Sequence, residues 1–362
     1  MDIPARILVY GAGPLGSLFA SRLHQAGHDV TVLARGERLA QLREHGVLLH
    51  DVTTDLDEVT HPRVVEALDP EDAYDLVLVV MRKNQALQIL PVLAANRHTP
   101  NILFLMNNAA GPDALVEALG NNEEGLPRAL IGFPGSAGYR DGAVMHVLTG
   151  NERERAPVPF GEVDGALHPR TEAVARIIDS APGLTAEVRP DMDAWLKYHV
   201  ALLFPTLAPA LHAAGRDNVR LARTPDLLVL AIRGIREAFA ALRAIGLPVT
   251  PAKFRILQWV PEPLLVLGAS RLLANPLMEM ALVRHAEAAR DEVHHLIGEF
   301  MALARTTAVP TPTIDYLMTL YEPDAPEIPE GSHEIPQHWS GMLLLLAALG
   351  TLLAVIVRPR RR

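Results

Sequence analysis

The 362-residue sequence predicts an α/β domain built on a doubly wound parallel sheet, followed by an all-helical domain. Near-continuous apolar runs at residues 75–81 and 102–106 are typical of parallel strands that are covered on both faces. A glycine-rich segment at residues 11–16 follows an apolar run, and beyond residues 187–191 the pattern changes to long helical stretches. With helical segments between the strands, these features indicate right-handed crossover units of Rossmann type.

The elements of the first domain follow in chain order. We predict a strand at Arg6–Tyr10, a helix at residues 15–25 and a second strand at residues 30–33. The two apolar runs supply the next strands, and short apolar pieces at residues 129–133 and 158–160 extend the sheet. The first domain, which we take to bind the cofactor, therefore covers residues 1–189.

The second domain is predicted at residues 190–321, as an all-helical domain for substrate binding or dimerisation. Its helical patterns span residues 194–214, 225–245 and 278–306. A polar, proline-rich stretch at residues 322–338 is expected to be a linker to the last segment, residues 339–362.

The composition excludes several classes of protein. A net charge of −9 argues against a general nucleic-acid binder, because neutralising phosphates needs a basic surface. The chain has no cysteine, which excludes disulfides, thiolate metal sites and cysteine nucleophiles and suits a reducing cytosol. The N-terminus shows no basic region or cleavage site, so we expect no signal peptide and a cytoplasmic enzyme domain.

The C-terminal segment predicts a membrane anchor. Residues 341–357, GMLLLLAALGTLLAVIV, are uncharged, and Arg358 begins a basic end. As a helix they span roughly 26 Å, against a hydrocarbon core of about 30 Å, and Trp339 and the arginines supply interfacial anchors. The alternative is a buried helix that docks into the protein or a partner. Basic residues after the segment favour keeping the tail inside, which conflicts with a cytoplasmic enzyme domain.

The glycine-rich segment predicts a dinucleotide site. Gly11-Ala-Gly13-Pro14-Leu15-Gly16 fits G-x-G-x-x-G and stands between an apolar strand and an amphipathic helix, which is the context that gives the pattern meaning. Gly11 permits the tight turn, Gly13 lets the backbone approach the pyrophosphate, and Gly16 lets the helix pack on the strand. The helix N-terminus then offers N–H groups to phosphate. An ordinary structural turn is the alternative.

The end of the second strand favours NADP over NAD. NAD sites place an acidic residue there to bond the ribose hydroxyls, whereas this chain has Ala34 and Arg35. A guanidinium suits a 2′-phosphate, and Arg38 is a second candidate. An exposed surface arginine is the alternative.

Residues 11–47 together with later segments resemble the ketopantoate reductase family. The first of the later segments is Arg82-Lys83-Asn84-Gln85, where the family often has a basic residue and a glutamine. The others are the Asn-containing loop at residues 107–111, Trp195-Leu-Lys197, and the Glu-containing helix at residues 290–298. The resemblance covers most of residues 6–320 in the right order. It implies a Rossmann domain followed by a helical domain, with a 2-oxo acid such as 2-dehydropantoate reduced to the hydroxy acid.

The resemblance also implies roles for individual residues. Lys197 would be the general acid, Glu292 would receive a substrate hydroxyl, and Asn108 would hold the nicotinamide or a substrate oxygen. Arg82 would clamp a cofactor phosphate or the substrate carboxylate. The alternatives are that Lys197 is solvated and that Glu292 is an ordinary charged residue of a helix. Asn108 could instead favour a turn, and Arg82 could form a solvated pair with Lys83.

Histidines on the late helix do not predict a metal site. His294 and His295 are adjacent and so point to different helical faces, and neither they nor the nearby His285 and Asp291 complete a ligand set.

The sequence departs from the family at positions that would bind a hydroxylated substrate. Ala201 and either Phe204 or Pro205 replace the family's asparagines, and residues 277–281, including Met280, offer no serine. Substrate hydroxyls would go unpaired there, so a less polar 2-oxo acid is expected.

Two further hypotheses stay open. The chain could be a non-catalytic, membrane-tethered NADPH sensor or scaffold, or an enzyme acting on an amine or imine. A homodimer is compatible with each of them.

Overall fold

The computed structural model describes residues 4–151, 153–276, 278–284 and 290–342. The chain forms two compact units. The first comprises Met1–Val200 and Arg284–Leu303, and the second comprises Ala201–Val283 and Ala304–Arg362. The grouping of Arg284–Leu303 with the first unit had no signal in the sequence. The predicted domain boundary at residue 190 stays a prediction.

The described strands and helices are as follows. The strands are β1 (Arg6–Tyr10), β2 (Asp29–Leu33), β3 (Val47–Asp51), β4 (Leu56–Thr60), β5 (Arg63–Val65), β6 (Leu76–Val79), β7 (Ile102–Leu105), β8 (Ala129–Gly132), β9 (Ala137–Asp141), β10 (Val144–Leu148), β11 (Ala156–Glu162) and β12 (Leu184–Val188). The α-helices are α1 (Pro14–Gln25), α2 (Gly36–His45), α3 (Lys83–Gln88), α4 (Leu90–Ala95), α5 (Asp113–Leu119), α6 (Pro169–Ser180), α7 (Met192–Leu202), α8 (Ala208–Ala213), α9 (Asn218–Ala222), α10 (Pro225–Ala244), α11 (Ile256–Trp259), α12 (Glu262–Leu273), α13 (Arg290–Ala304) and α14 (Pro312–Thr319).

The main sheet of the first unit has the order β12-β11-β8-β7-β6-β1-β2-β5. The six neighbouring strands β8, β7, β6, β1, β2 and β5 are all parallel. At the other end of the sheet, β11 pairs antiparallel with β8, and β12 pairs parallel with β11. This confirms the predicted Rossmann-like α/β sheet, and a helical region in the C-terminal half accompanies it. The strand order reverses at β1, where ligands bind in doubly wound sheets.

Burial on both faces explains the apolar runs of the central strands. In β1, Ile7 and Val9 belong to the core on one side of the sheet, and Leu8 and Tyr10 belong to the core on the other side. Successive side chains alternate between the faces, so each strand that is covered twice must be apolar at nearly every position.

A second, four-stranded sheet in the first unit was missed from the sequence. Its order is β4-β3-β10-β9, and β9 and β10 pack against α1. These strands are only half buried, and β4 carries the charged sequence Leu-Asp-Glu-Val-Thr. They therefore lack the continuous apolar signal of the main sheet.

Helix α10 lies at the centre of the second unit, where it contacts α8, α9, α12 and α14. The helical pattern predicted at residues 194–214 is seen as α7 and α8, with a π-helical stretch at Leu203–Leu207 between them. Pro205 and Pro209 have no N–H to donate, which breaks the regular hydrogen-bond ladder. The predicted helix at residues 225–245 is confirmed as α10. In the predicted helix at 278–306, Glu279–Arg284 is π-helical, α13 follows, and residues 285–289 lie outside the description.

The proline-rich segment at residues 322–338 is hydrogen-bonded to helices of the second unit. Ile328 N–H donates to the Ala213 carbonyl, Asp226 accepts the N–H of Ile335, and the Pro336 carbonyl accepts from Arg233. We call this segment the strap.

The predicted membrane anchor lies almost wholly outside the described residues, which end at Met342. Within the described part, none of the helices combines the length and apolar character needed to cross a bilayer.

Candidate active site

The glycine-rich turn between β1 and α1 is shaped by steric limits at two of its glycines. Gly11 has a φ of +118°, and a Cβ there would lie 2.4 Å from the Val80 carbonyl oxygen. A Cβ on Gly16 would lie 1.7 Å from the Gly11 oxygen. Gly13 is different, because it is exposed and a Cβ would meet nothing within 4 Å. Gly11 and Gly16 thus maintain the fold of the turn, while Gly13 leaves space beside the backbone.

That space adjoins the N-terminus of α1. Gly13 is the N-cap, Pro14 begins the helix, and no described side chain caps this end. A helix N-terminus attracts anions because its first N–H groups and its dipole are directed outward. The open backbone at Gly13 and the first turn at Pro14 and Leu15 therefore fit a bound pyrophosphate.

The two arginines after β2 have different surroundings. Arg38 is buried, and its guanidinium donates to the Ala12 carbonyl, to Ser17 Oγ and to the Ala143 carbonyl, each at 3.1 Å. Burial, together with the nearby charge of Arg140, lowers the pKa of Arg38 to about 10. Arg38 therefore ties the glycine-rich turn to its surroundings and is not available as a phosphate ligand.

Arg35 is exposed at the end of β2. Its Nη2 donates to the Tyr10 hydroxyl at 3.2 Å, which holds the side chain at the carboxyl edge of β1. This position suits the 2′-phosphate of NADP better than that of Arg38 does.

Residues after β6 contact α13. Arg82 Nη1 lies 2.8 Å from Asp291 Oδ1, and Asn84 Nδ2 donates to Asp291 Oδ2 at 2.7 Å. The hydrogen bond from Asn84, with the charge of Arg82, lowers the pKa of Asp291. Arg82 thus already has an ionic partner at this site.

Lys83 is a buried cation, contrary to the view of Arg82 and Lys83 as a solvated pair. It is 2% exposed, its Nζ donates to Asn108 Oδ1 at 2.7 Å, and the Glu299 carboxylate lies 3.6 Å away. Burial lowers the pKa of Lys83, and the negative charge of Glu299 opposes that shift. A lysine with a lowered pKa is closer to the range in which amines exchange protons at neutral pH.

The loop after β7 is organised by Asn108. Its Oδ1 accepts from the Gly111 N–H at 3.0 Å and its Nδ2 donates to the Gly111 carbonyl at 2.9 Å. Glu299 Oε2 accepts the N–H groups of Ala109 and Ala110, both at 3.1 Å. Asn108 is fully buried, so its observed role is to shape the loop. Its predicted contact with nicotinamide or substrate stays a prediction.

Lys197 lies beside this same loop and is 6% exposed, so it is not a solvated side chain. Its Nζ is paired with Asp193, one turn earlier on α7. A Cβ placed on Gly111 would lie 3.2 Å from Lys197 Nζ and 3.5 Å from Asp193 Oδ1. Only a glycine with its φ of +94° lets the loop approach the lysine this closely.

Glu292 closes the cluster from α13. It is 3% exposed, and its Oε1 accepts the Lys83 N–H at 3.3 Å. Burial raises its pKa, although hydrogen bonds from Lys83 and Asn107 and the charge of Arg82 oppose the shift. The Oδ1 of Asn107 is buried and has no partner among the described residues, so it is an acceptor left for a ligand N–H.

The first unit therefore brings four of the candidate residues from the sequence, Arg82, Asn108, Lys197 and Glu292, to the carboxyl edge of β6 and β7. Lys83 joins them there, although the sequence analysis considered it only as a solvated neighbour of Arg82. Sequence reasoning missed Asp193 and Glu299. Asp193 and Lys197 have the i,i+4 spacing of a helical ion pair, which was an available signal.

The apolar replacements predicted for the substrate pocket are all in the second unit. Ala201, Phe204, Pro205 and Met280 are buried there. No described group of three or more His, Asp or Glu side chains is arranged to hold a metal ion, and His285 lies outside the description.

Comparison with known proteins finds a matching family model and curated relatives. Residues 7–149 match the model of the family described as ketopantoate reductase PanE/ApbA. The chain is 25% identical over 260 residues to the uncharacterized oxidoreductase YkpB of Bacillus subtilis (strain 168), covering 68% of this chain and 78% of that protein. It is 26% identical over 231 residues to a 2-dehydropantoate 2-reductase of Archaeoglobus fulgidus, covering 62% and 70%.

A solved structure supports the fold. The ternary structure of D-mandelate dehydrogenase with NADH and anilino(oxo)acetate superposes with a TM-score of 0.67 at 16% identity, covering 87% of this chain and 96% of that one.

Proposed function

Because residues 7–149 form a domain of the ketopantoate reductase PanE/ApbA family, we propose that the chain is an NADPH-dependent reductase of a 2-oxo acid. The observation that carries the proposal is the buried Lys197, which lies beside the loop that follows β7. That loop stands at the edge of the sheet where doubly wound proteins bind their ligands. A cation buried at this place fits the need for a proton donor at a carbonyl oxygen.

The residues around β1 fit a nicotinamide dinucleotide. The open backbone at Gly13 and the N-terminus of α1 would hold the pyrophosphate, and the buried acceptor of Asn107 would take a carboxamide N–H. Arg35 favours the 2′-phosphate of NADPH, although the structurally similar D-mandelate dehydrogenase holds NADH. Bound NADPH would supply the hydride that adds to the carbonyl carbon.

Lys197 would supply the proton for the same reduction. As the C=O bond becomes a C–O single bond, the oxygen gains negative charge and takes a proton from the Lys197 ammonium, giving the hydroxyl. Asp193, which is paired with the Lys197 ammonium, would orient it toward the substrate oxygen. Lys83 adds a second positive charge near the developing alkoxide, and neutral Lys197 regains a proton from solvent.

The proposal is tested by replacing Lys197. Lys197→Met is expected to lower kcat by about 10²–10⁴-fold while the Kd for NADPH changes little, because the lost group acts on the substrate oxygen. Lys253→Met is the matched control, since Lys253 is exposed and lies in the second unit on another segment. Full turnover by Lys197→Met would overturn the assignment.

The substrate is proposed to be less polar than 2-dehydropantoate. The resemblance aligns Ala201, either Phe204 or Pro205, and Met280 with polar positions of the family, so hydroxyls of the substrate would go unpaired there, at a cost of about 1–3 kcal/mol each. NADPH oxidation should therefore be faster with branched aliphatic or aromatic 2-oxo acids, by about tenfold or more in kcat/KM. Tight NADPH binding without oxidation on any 2-oxo acid of such a panel would favour a sensor or scaffold instead.

We also propose that the C-terminal segment tethers the enzyme to a membrane. The uncharged residues 341–357, followed by Arg358, support this. The full chain should sediment with membranes, and deletion from Trp339 onward should release it. A full-length chain that stays entirely in the supernatant would contradict the tether.

A further inference from the structure

Exposed large apolar side chains of the second unit are concentrated on α11 and α12. Within the described residues, α11 exposes Ile256 and Trp259, and α12 exposes Leu264, Leu267 and Leu272. Trp259 is 81% exposed, although a tryptophan is seldom left so open on a water-facing surface. Five such residues within one stretch of chain mark an interaction surface rather than scattered surface hydrophobics.

Helix α12 is apolar on two opposite sides. One side carries Val266 and Leu273, which are buried, and the helix packs against α9 and α10. The other side carries Leu264 and Leu267 one turn apart, where a helix facing water would carry polar residues. The exposed side therefore has the composition of a face that is covered by something apolar.

The charges beside this face are positive. Arg255 and Arg271 are exposed next to Trp259 and Leu267, in a chain whose net charge is −9. The one acidic residue of α12, Glu262, is buried and accepts two hydrogen bonds of 2.9 Å from Arg233, so it does not offset them at the surface. Exposed leucine and tryptophan with flanking arginine is the composition of a helix that lies in an anionic lipid interface.

The strap brings the C-terminal segment to the same place. The His338 N–H donates to Glu262 Oε1 at 2.9 Å, and a Cβ on Gly341 would lie 3.6 Å from Pro261, between α11 and α12. Trp339 is 55% exposed here. The chain beyond the described residues thus continues from the corner of α11 and α12 into its uncharged segment and the final arginines.

From these observations we propose that α11 and the exposed side of α12 are a lipid-contacting face, which lies in the headgroup region of an anionic bilayer. The face consists of Ile256, Trp259, Leu264, Leu267 and Leu272, with Arg255 and Arg271 directed to lipid phosphates. A tether alone leaves the enzyme free to rotate, whereas this face fixes how the second unit meets the membrane. The proposal extends the tether and is independent of the reductase reaction.

The absence of cysteine from the chain allows a site-specific test in the full-length protein. Leu267→Cys is labelled with an environment-sensitive fluorophore and mixed with vesicles of phosphatidylcholine and phosphatidylglycerol. We expect a blue shift and a severalfold rise in emission, with quenching by lipids that carry a nitroxide near the headgroup. Asp315→Cys, at an exposed position on α14, is the matched control and should not respond.

A charge-reversal variant tests the lipid specificity. Adding Arg255→Glu and Arg271→Glu to the labelled chain should weaken the response to anionic vesicles by more than about tenfold, because two basic residues that attract anionic lipid are replaced by acidic ones that it repels. The probe at Leu267 tests contact of this face with lipid, whereas sedimentation of the full chain against the chain deleted from Trp339 onward tests the tail. A silent Leu267 probe on a chain that does sediment would overturn the proposal and leave the tail as the only anchor. A response that needs no vesicles and grows with protein concentration would overturn it in favour of a second copy of the chain.

Discussion

At the scale of single residues, the two arginines after β2 show how local contacts separate equivalent candidates. Both stand near the end of the strand, where a 2′-phosphate would be bound. The Arg38 side chain donates to four acceptors inside the first unit, whereas Arg35 is exposed and its side chain donates to the Tyr10 hydroxyl. The sequence places both at the right distance from the glycines but does not show which of them is buried.

Arg35→Ser is expected to raise the KM for NADPH by about tenfold to a hundredfold and to leave the KM for NADH unchanged. The reason is the loss of a charged hydrogen bond to the 2′-phosphate, which contributes about 1.5–3 kcal/mol. Arg38→Met is the contrasting variant, because it leaves buried acceptors unpaired and should lower the melting temperature. Equal changes with the two cofactors for Arg35→Ser would exclude a role in the choice of cofactor.

Glu292 makes stability depend on pH in an unusual direction. Burial raises its pKa above 4.5, so between that value and the raised pKa the folded chain holds a proton that the unfolded chain has lost. Its contribution to stability is therefore greatest below pH 4.5 and falls as the pH rises through the folded-state pKa. Glu292→Gln removes this titration.

The Glu292 prediction is checked by urea unfolding of wild type and Glu292→Gln over a series of pH values. The free energy of unfolding of the wild type, minus that of the variant, should fall with rising pH at a slope approaching about 1.4 kcal/mol per pH unit. Above the folded-state pKa the difference should be constant. A difference that is independent of pH throughout would contradict a raised pKa.

At the scale of elements, two glycines of the turn from β1 to α1 have different roles: Gly16 maintains the fold of the turn, and Gly13 leaves space for the cofactor phosphate. Gly13→Ala adds a methyl group in open space, so the free energy of unfolding should change little, while the Kd for NADPH should rise by about tenfold or more. Gly16→Ala forces a Cβ into the Gly11 carbonyl and should destabilise the fold by about 3 kcal/mol or more. Thermal unfolding and NADPH titration distinguish the two. Normal NADPH affinity in Gly13→Ala would show that no phosphate approaches this turn.

The elements that the sequence predicted best are those buried on both faces. β1 has the predicted bounds and β7 differs by one residue, because a short, continuous apolar run is typical of a strand that is covered on both faces. The strands β3 and β4 have one wet face and charged residues, so their pattern is weak. The ends of α7 and α8 were missed because a π-helical stretch has no distinctive periodicity in so short a segment.

At the scale of the whole chain, part of the site could not be predicted because it is built across large sequence separations. The link between Lys83 and Glu299 joins residues more than two hundred positions apart, and no local pattern pairs them. Lys197 and Asn108 were found through a resemblance in short segments, and their burial beside one loop required the structure. Asp193 is the exception, since its partner lies one helical turn away.

The contacts of the strap could not be predicted from the sequence either. Its prolines and charges indicated a free linker, whereas buried acceptors elsewhere in the second unit hold it in place. Asp226 is buried and accepts from the Ser332 hydroxyl and from the N–H groups of Glu334 and Ile335. Burial opposes ionisation of Asp226, but these hydrogen bonds outweigh it and lower its pKa below 3.8. The strap should therefore stay bound at neutral pH and loosen only as the pH falls through that lowered value.

Asp226→Asn is expected to release the strap at neutral pH, because the amide nitrogen that replaces one carboxylate oxygen cannot accept the hydrogen bonds which that oxygen accepts. The bound strap places His338 against Glu262, so its release should also free the start of the C-terminal segment from the corner of α11 and α12. Limited proteolysis should then cut within residues 329–338 about tenfold faster or more in the variant, as expected for the loss of roughly 1.5 kcal/mol of protection. Asp315→Asn, on the exposed side of α14, is the control and should be cut at the wild-type rate. Equal cleavage rates in wild type and Asp226→Asn would mean that other contacts, such as that of Arg233 with the Pro336 carbonyl, are sufficient to hold the strap.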